Sequence, residues 1–168
     1  NTIKLAIAAG VLIGSASLNT AVHAATTTDN LIVLANVEMT CTVAPRTLNF
    51  ATYDPTSNTD NDASAVITST CTHGGSAKIT LAQGAAPDTG SSDADPRRQL
   101  ISGTGDLLAY SLYQNSDRNV VWGNTADTGL GFTAVGGDNT TVVFGRIESG
   151  LAATSGSYSD SVSVTITY

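Results

Sequence analysis

The side chains with most scope for chemistry are aspartates, one histidine and two cysteines. Asp54, Asp60 and Asp62 lie close together and offer carboxylate oxygens of the kind that bind Ca²⁺. The stretch lacks the glycine and closing glutamate of an EF-hand loop, so it reads as a solvated turn. Asp88, Asp93, Asp95 and Asp106 read the same way. His73 is the only histidine after Ala24 and sits beside Gly74 and Gly75. A Ser-His-Asp site would have to use it, yet no Gly-x-Ser-x-Gly elbow accompanies it, and it reads as an exposed turn residue. Paired carboxylates are compatible with glycoside hydrolysis, but one Trp and 5% aromatics make a poor sugar platform. Gly129-Leu130-Gly131 and Gly136-Gly137 precede no helix and are weak phosphate loops. Cys41 and Cys71 lack the supporting ligands of a metal site. The sequence therefore predicts no catalytic residue, no metal and no cofactor.

The beginning of the chain bears on the cysteines. Lys4 is followed by an apolar run over residues 5–14 and a more polar stretch ending Val22-His23-Ala24. This pattern predicts a secretory signal peptide over residues 1–24. The run is too short to span a bilayer, so the expected product is exported and not inserted in a membrane. Without Lys4, six basic residues face 14 acidic ones, one unit more negative than the −7 of the whole chain. That balance excludes nucleic acid and anionic membrane as partners. In an exported protein a cysteine pair reads as a disulfide, and closing a loop of this length is worth roughly 3–4 kcal/mol.

The elements that position these residues are strands. Apolar residues alternate at Ala65, Ile67, Ser69 and Cys71, then at Ala77, Ile79 and Leu81, with His73-Gly74-Gly75 suggesting a hairpin between them. Leu108, Tyr110 and Leu112 share a face, and Asn119–Trp122 is a short apolar run. In Thr141–Ile147, Val142 and Phe144 oppose Val143 and Ile147. From Tyr158 to Tyr168, Val162, Val164, Ile166 and Tyr168 face one way. Short strands between Gly/Asn/Asp/Ser-rich connections predict an all-β antiparallel sandwich in one domain. Residues 51–62 and 84–106 are long polar connections and read as mobile loops.

One run exceeds its domain. From Leu31 to Val43 every odd position is apolar, namely Leu31, Val33, Ala35, Val37, Met39, Cys41 and Val43. As one strand it would stretch about 40 Å, against a radius of gyration of about 15 Å for a domain of this size. The last strand meanwhile runs to Tyr168 and presents an edge that needs covering. Both features are met if the overshoot of one molecule completes the sheet of the next. In such strand addition the backbone supplies affinity and alternate side chains supply specificity. Distinct donor and acceptor surfaces give a head-to-tail contact that extends into a filament.

Four segments carry a resemblance: Thr47-Leu48-Asn49-Phe50, Ile67-Thr68-Ser69-Thr70-Cys71-Thr72, Leu108-Ala109-Tyr110-Ser111-Leu112-Tyr113 and Gly156-Ser157-Tyr158-Ser159-Asp160-Ser161-Val162. Together they resemble the spore coat protein U domain family, which includes subunits of archaic, Csu-type chaperone–usher pili. The resemblance implies an incomplete immunoglobulin-like sandwich lacking its final strand and completed by donor-strand exchange, with a disulfide matching Cys41–Cys71. It implies a periplasmic chaperone, an outer-membrane usher and neighbouring identical subunits as partners. Residues 25–38 would be the donor extension and 39–168 the pilin-type domain. Donor positions fall on Leu31, Val33, Ala35 and Val37, with Ala35 smaller than the residue usual there. The acceptor strand carries Val162, Val164, Ile166 and Tyr168. The function implied is a shaft subunit of a cell-surface pilus that supports adhesion and biofilm formation. The alternatives are a self-complemented, monomeric secreted protein of the same fold and a sugar-binding sandwich.

Overall fold

The computed structural model describes residues 24–168, so the expected signal peptide lies, apart from Ala24, outside the described residues. Residues up to Ala35 and the body Asn36–Tyr168 are two separate units. Within the first, residues 24–35 contain no strand, and Leu31, Ile32, Val33 and Leu34 are between 78% and 89% exposed.

Nine strands build the body: β1 (Cys41–Pro45), β2 (Asn61–Cys71), β3 (Ser76–Leu81), β4 (Arg98–Ser102), β5 (Leu107–Tyr113), β6 (Leu130–Thr133), β7 (Asp138–Ile147), β8 (Tyr158–Ser159) and β9 (Val164–Thr167). No helix occurs among the described residues. A six-stranded sheet runs β1-β2-β7-β5-β4-β8 and a three-stranded sheet runs β6-β3-β9. Every pairing is antiparallel. β2 and β7 form the longest ladder, from Asn61 opposite Ile147 to Thr70 opposite Asp138.

Period-two alternation puts one row of each strand between the sheets. Ala65, Ile67, Ser69 and Cys71 are buried on β2, Ala77, Ile79 and Leu81 on β3, Leu108, Tyr110 and Leu112 on β5, and Val143 and Ile147 on β7. Trp122 fills the centre, fully enclosed, and its indole N–H donates to the Ile79 carbonyl at 2.9 Å. That bond satisfies the one polar group the ring carries into the core.

Several expectations need correction. In the run from Leu31 to Val43, strand β1 begins only at Cys41, two residues beyond the expected start of the domain at Met39. Its partner β2 ends at Cys71, directly opposite Cys41, so the ladder has run out before the earlier residues are reached. His73-Gly74-Gly75 does not close a hairpin. β2 and β3 lie in different sheets, and the turn bridges them, its Gly74 N–H donating to Ala134. Tyr158–Tyr168 is two strands: β8 pairs with β4 in one sheet and β9 with β3 in the other. Asn119–Trp122 contributes only an isolated bridge, Val121 to Tyr113.

The 84–106 connection holds the whole of β4 and the buried cation Arg98. Its Nε donates to Ala82 and its Nη2 to Leu81 and Trp122, all carbonyls, which makes an arginine tolerable in the core. Gly129-Leu130-Gly131 opens β6, a sheet edge.

Candidate functional site

The two sheets leave one side of the sandwich open. β9 pairs only with β3 and β1 only with β2, so each keeps an edge without a strand partner among the described residues. Two adjoining clefts, of about 360 and about 810 Å³, follow this opening. They share Thr47, Leu48, Phe50, Leu100 and Asp160, and so form one groove.

One bank is the strand-free segment after β1. Leu48 and Phe50, two residues apart, turn inward from it. They lie close to β7 because residue 145 is glycine. A side-chain carbon there would come within 2.8 Å of the Phe50 ring and 3.0 Å of Leu48. Phe50 meets Tyr110 edge to face at 5.9 Å. The far end of this bank is pinned by Tyr53, whose hydroxyl accepts from the Leu151 N–H at 2.8 Å and reaches the Glu148 carbonyl at 3.0 Å.

The other bank runs from Ala153 through β8 to Val164. Between β8 and β9 it crosses from one sheet to the other, and Asp160 stands at the crossing. Its carboxylate accepts from the Tyr110 hydroxyl at 2.6 Å, the Ala85 N–H at 2.7 Å and the Ser161 N–H at 2.7 Å. Burial, then the bond to Asp160, push the Tyr110 phenol far above its ordinary pKa, so it remains a donor. The floor between the banks is apolar: Ile67, Leu81, Leu100, Leu112 and Val143, joined by Leu108 and Ile147. Leu48, Phe50, Leu100, Tyr158, Val162 and Val164 are only half-buried while packing on the core. A channel of this kind offers apolar side-chain contacts together with the open edge of β9.

Of the proposed acceptor residues, Val162 and Val164 line the groove. Ile166 packs toward the disulfide end with Met39, Cys41 and Phe132. Tyr168 lies beyond β9 and is 56% exposed. Of the proposed donor residues Leu31, Val33, Ala35 and Val37, the first three fall before the body, and Val37 is 79% exposed within it. Cys41 and Cys71 are joined across the β1–β2 ladder. The sequence reading missed Asp160, Gly145 and the bank from Thr47 to Tyr53 as groove-forming elements. The spacing of Leu48 and Phe50 was the available signal.

The candidate cation residues are otherwise engaged. Asp62 takes a two-pronged bond from Arg146 at 2.8 and 2.9 Å and faces Arg118 at 3.1 Å. Asp60 pairs with Arg146 at 3.1 Å. Asp54 accepts from the Thr56 hydroxyl and N–H. No group of three or more His, Cys, Asp or Glu side chains suited to a metal occurs among the described residues. His73 is exposed.

The family model of the Spore Coat Protein U domain matches residues 27–165. The chain belongs to that family. Protein U of Myxococcus xanthus is 38% identical over 178 residues, covering 100% of this chain and 99% of its own length. Among solved structures, the crystal structure of the CsuC–CsuE chaperone–tip adhesion subunit pre-assembly complex, from archaic chaperone–usher Csu pili of Acinetobacter baumannii, contains a similar chain. The TM-score is 0.59 at 19% identity, over 79% of this chain and 40% of that one. The P pilus rod subunit PapA aligns over 76% of this chain and 98% of its own, with a TM-score of 0.48 and 20% identity. The Csu comparison identifies the fold as an immunoglobulin-like sandwich. In this family member the Leu-x-Tyr-x-Leu and Gly-x-Tyr-x-Asp-x-Val segments meet through the bond between Tyr110 and Asp160.

Proposed function

We propose that this protein is a subunit of a chaperone–usher pilus of the archaic type, in which residues 31–37 of one molecule fill the groove of the next. The observation that carries the reading is the open groove beside β9, matched by exposed apolar residues at 31–34 and 37 in the same chain. Seating Leu31, Val33 and Val37 removes large apolar side chains from water, each worth roughly 1.5–3 kcal/mol, before ordering costs are subtracted. The extension 25–38 is the donor and 39–168 the acceptor domain. Until a neighbour arrives, a periplasmic chaperone covers the groove, and an outer-membrane usher exchanges the two.

A chain that both donates and accepts suits the shaft. The filament is a cell-surface fimbrium that contributes to adhesion and biofilm formation, and the subunit is structural, with no catalytic role. Val33→Asp, or deletion of 25–38, is expected to abolish filaments seen by electron microscopy while chaperone binding survives. Filaments of normal length from the deletion variant overturn the reading. A stable lone monomer from the unaltered exported chain points instead to self-complementation.

A further inference from the structure

We infer that the hydrogen bond from Tyr110 to Asp160 is a spacer that holds the groove open, making Asp160 a positioning residue for strand uptake. This rests on the strand-donation reading and adds a device to it. Four observations converge on the same carboxylate.

Asp160 sits where the chain leaves the six-stranded sheet for the three-stranded one, and it belongs to the wall of both clefts. It is tied back to the six-stranded sheet by the Tyr110 hydroxyl of β5 at 2.6 Å and to the connection after β3 by the Ala85 N–H at 2.7 Å. Its close approach is built in. Residue 84 is glycine at φ 89°, and a side-chain carbon there would lie 2.2 Å from an Asp160 oxygen. Arg98, opposite Tyr110 in the β4–β5 ladder, is 1% exposed, and its Nη1 has no partner among the described residues. Burial draws the Arg98 pKa down to about 10, and the neighbouring Tyr110 and Asp160 act against that fall.

The half-covered apolar side chains around Asp160 are Leu100 on the floor and Leu48, Phe50, Tyr158, Val162 and Val164 on the banks. Freed from its tether, the crossing of residues 160–163 would settle against them, because covering apolar surface is favourable. The tether thus keeps a partly exposed apolar channel from closing on itself, the pre-organisation that an incoming strand requires.

The test uses the full-length Val33→Asp chain as acceptor and a synthetic peptide of residues 25–38 as probe. Added Asp160→Asn or Tyr110→Phe is expected to slow peptide uptake about tenfold, the scale set by losing one hydrogen bond to a charged group. The release rate should change less than about twofold, a split opposite to the usual dominance of release rates. The double substitution should slow uptake no further than either single one, as expected for partners in one interaction. Tyr110→Phe keeps the ring in the core and reports the effect if Asp160→Asn does not fold. Unchanged uptake overturns the proposal. So does a parallel loss of uptake, retention and thermal midpoint, which marks a general structural role. Failure of the Val33→Asp chain itself to take up peptide overturns the strand-donation reading, and the spacer role with it.

Discussion

Asp62 shows how a carboxylate that reads as a candidate ligand becomes part of the sheet surface. It lies across the ladder from Arg146, as the register of β2 and β7 requires, and the two-pronged bond follows from that register. Arg118 completes the contact while its guanidinium stacks 5.8 Å from the Phe144 ring. The bond from Arg146, aided by the charges of Arg118 and Arg146, holds the Asp62 carboxyl below the ordinary carboxylate range against the opposing cost of burial. A group whose pKa is depressed by folding adds stability above its unfolded value and loses it as pH falls through the folded one. The unaltered chain should therefore lose more stability than Asp62→Asn between about pH 5 and pH 2. Denaturant midpoints across that range check this, and parallel curves refute it. At neutral pH the substitution should cost less than about 1 kcal/mol, since the pair is partly exposed and screened. Asp54 and Asp106 are also held low, chiefly by the hydroxyls of Thr56 and Thr104, and steepen the acid limb in both proteins.

At the scale of elements, alternation carried the reading furthest where both faces of a strand differ sharply. The buried rows of β2, β3, β5 and β7 follow the apolar positions read from the sequence. β4 escaped because its buried row begins with Arg98, a residue type that signals surface and is tolerated here only by three carbonyl acceptors. The hairpin after Cys71 was misread because a Gly-Gly turn serves a crossing between sheets as well as a return within one. The groove was half legible. Alternation exposed Val162 and Val164, whereas the opposite bank is irregular chain whose place depends on contacts from Tyr53, Gly145 and Leu151. The disulfide belongs to this scale too, since it fastens edge strand β1 to β2 where the ladder ends. Reducing it should lower unfolding stability by about 3 kcal/mol, measured by denaturation with and without reductant. An unchanged midpoint contradicts that role.

On the scale of the whole molecule, the long apolar run at Leu31–Val43 divides at a physical boundary. From Cys41 onward it has a partner in its own sheet, and residues 31–34 stand exposed. A sandwich with an uncovered edge and an apolar segment outside its body is an incomplete unit, and on the proposed reading a second copy supplies what each lacks. Ile32 and Leu34, apolar on the alternate face, are 78% and 87% exposed; nothing in the structure explains their type. The central claim is that the donor segment pairs along β9. Hydrogen exchange on the full-length Val33→Asp chain, with and without the peptide of residues 25–38, tests it most directly. The account predicts slowed exchange at Val164–Thr167 and no change at Leu130–Thr133, the other edge of the same sheet. Protection at β6 alone, or at neither edge while peptide is bound, would contradict it.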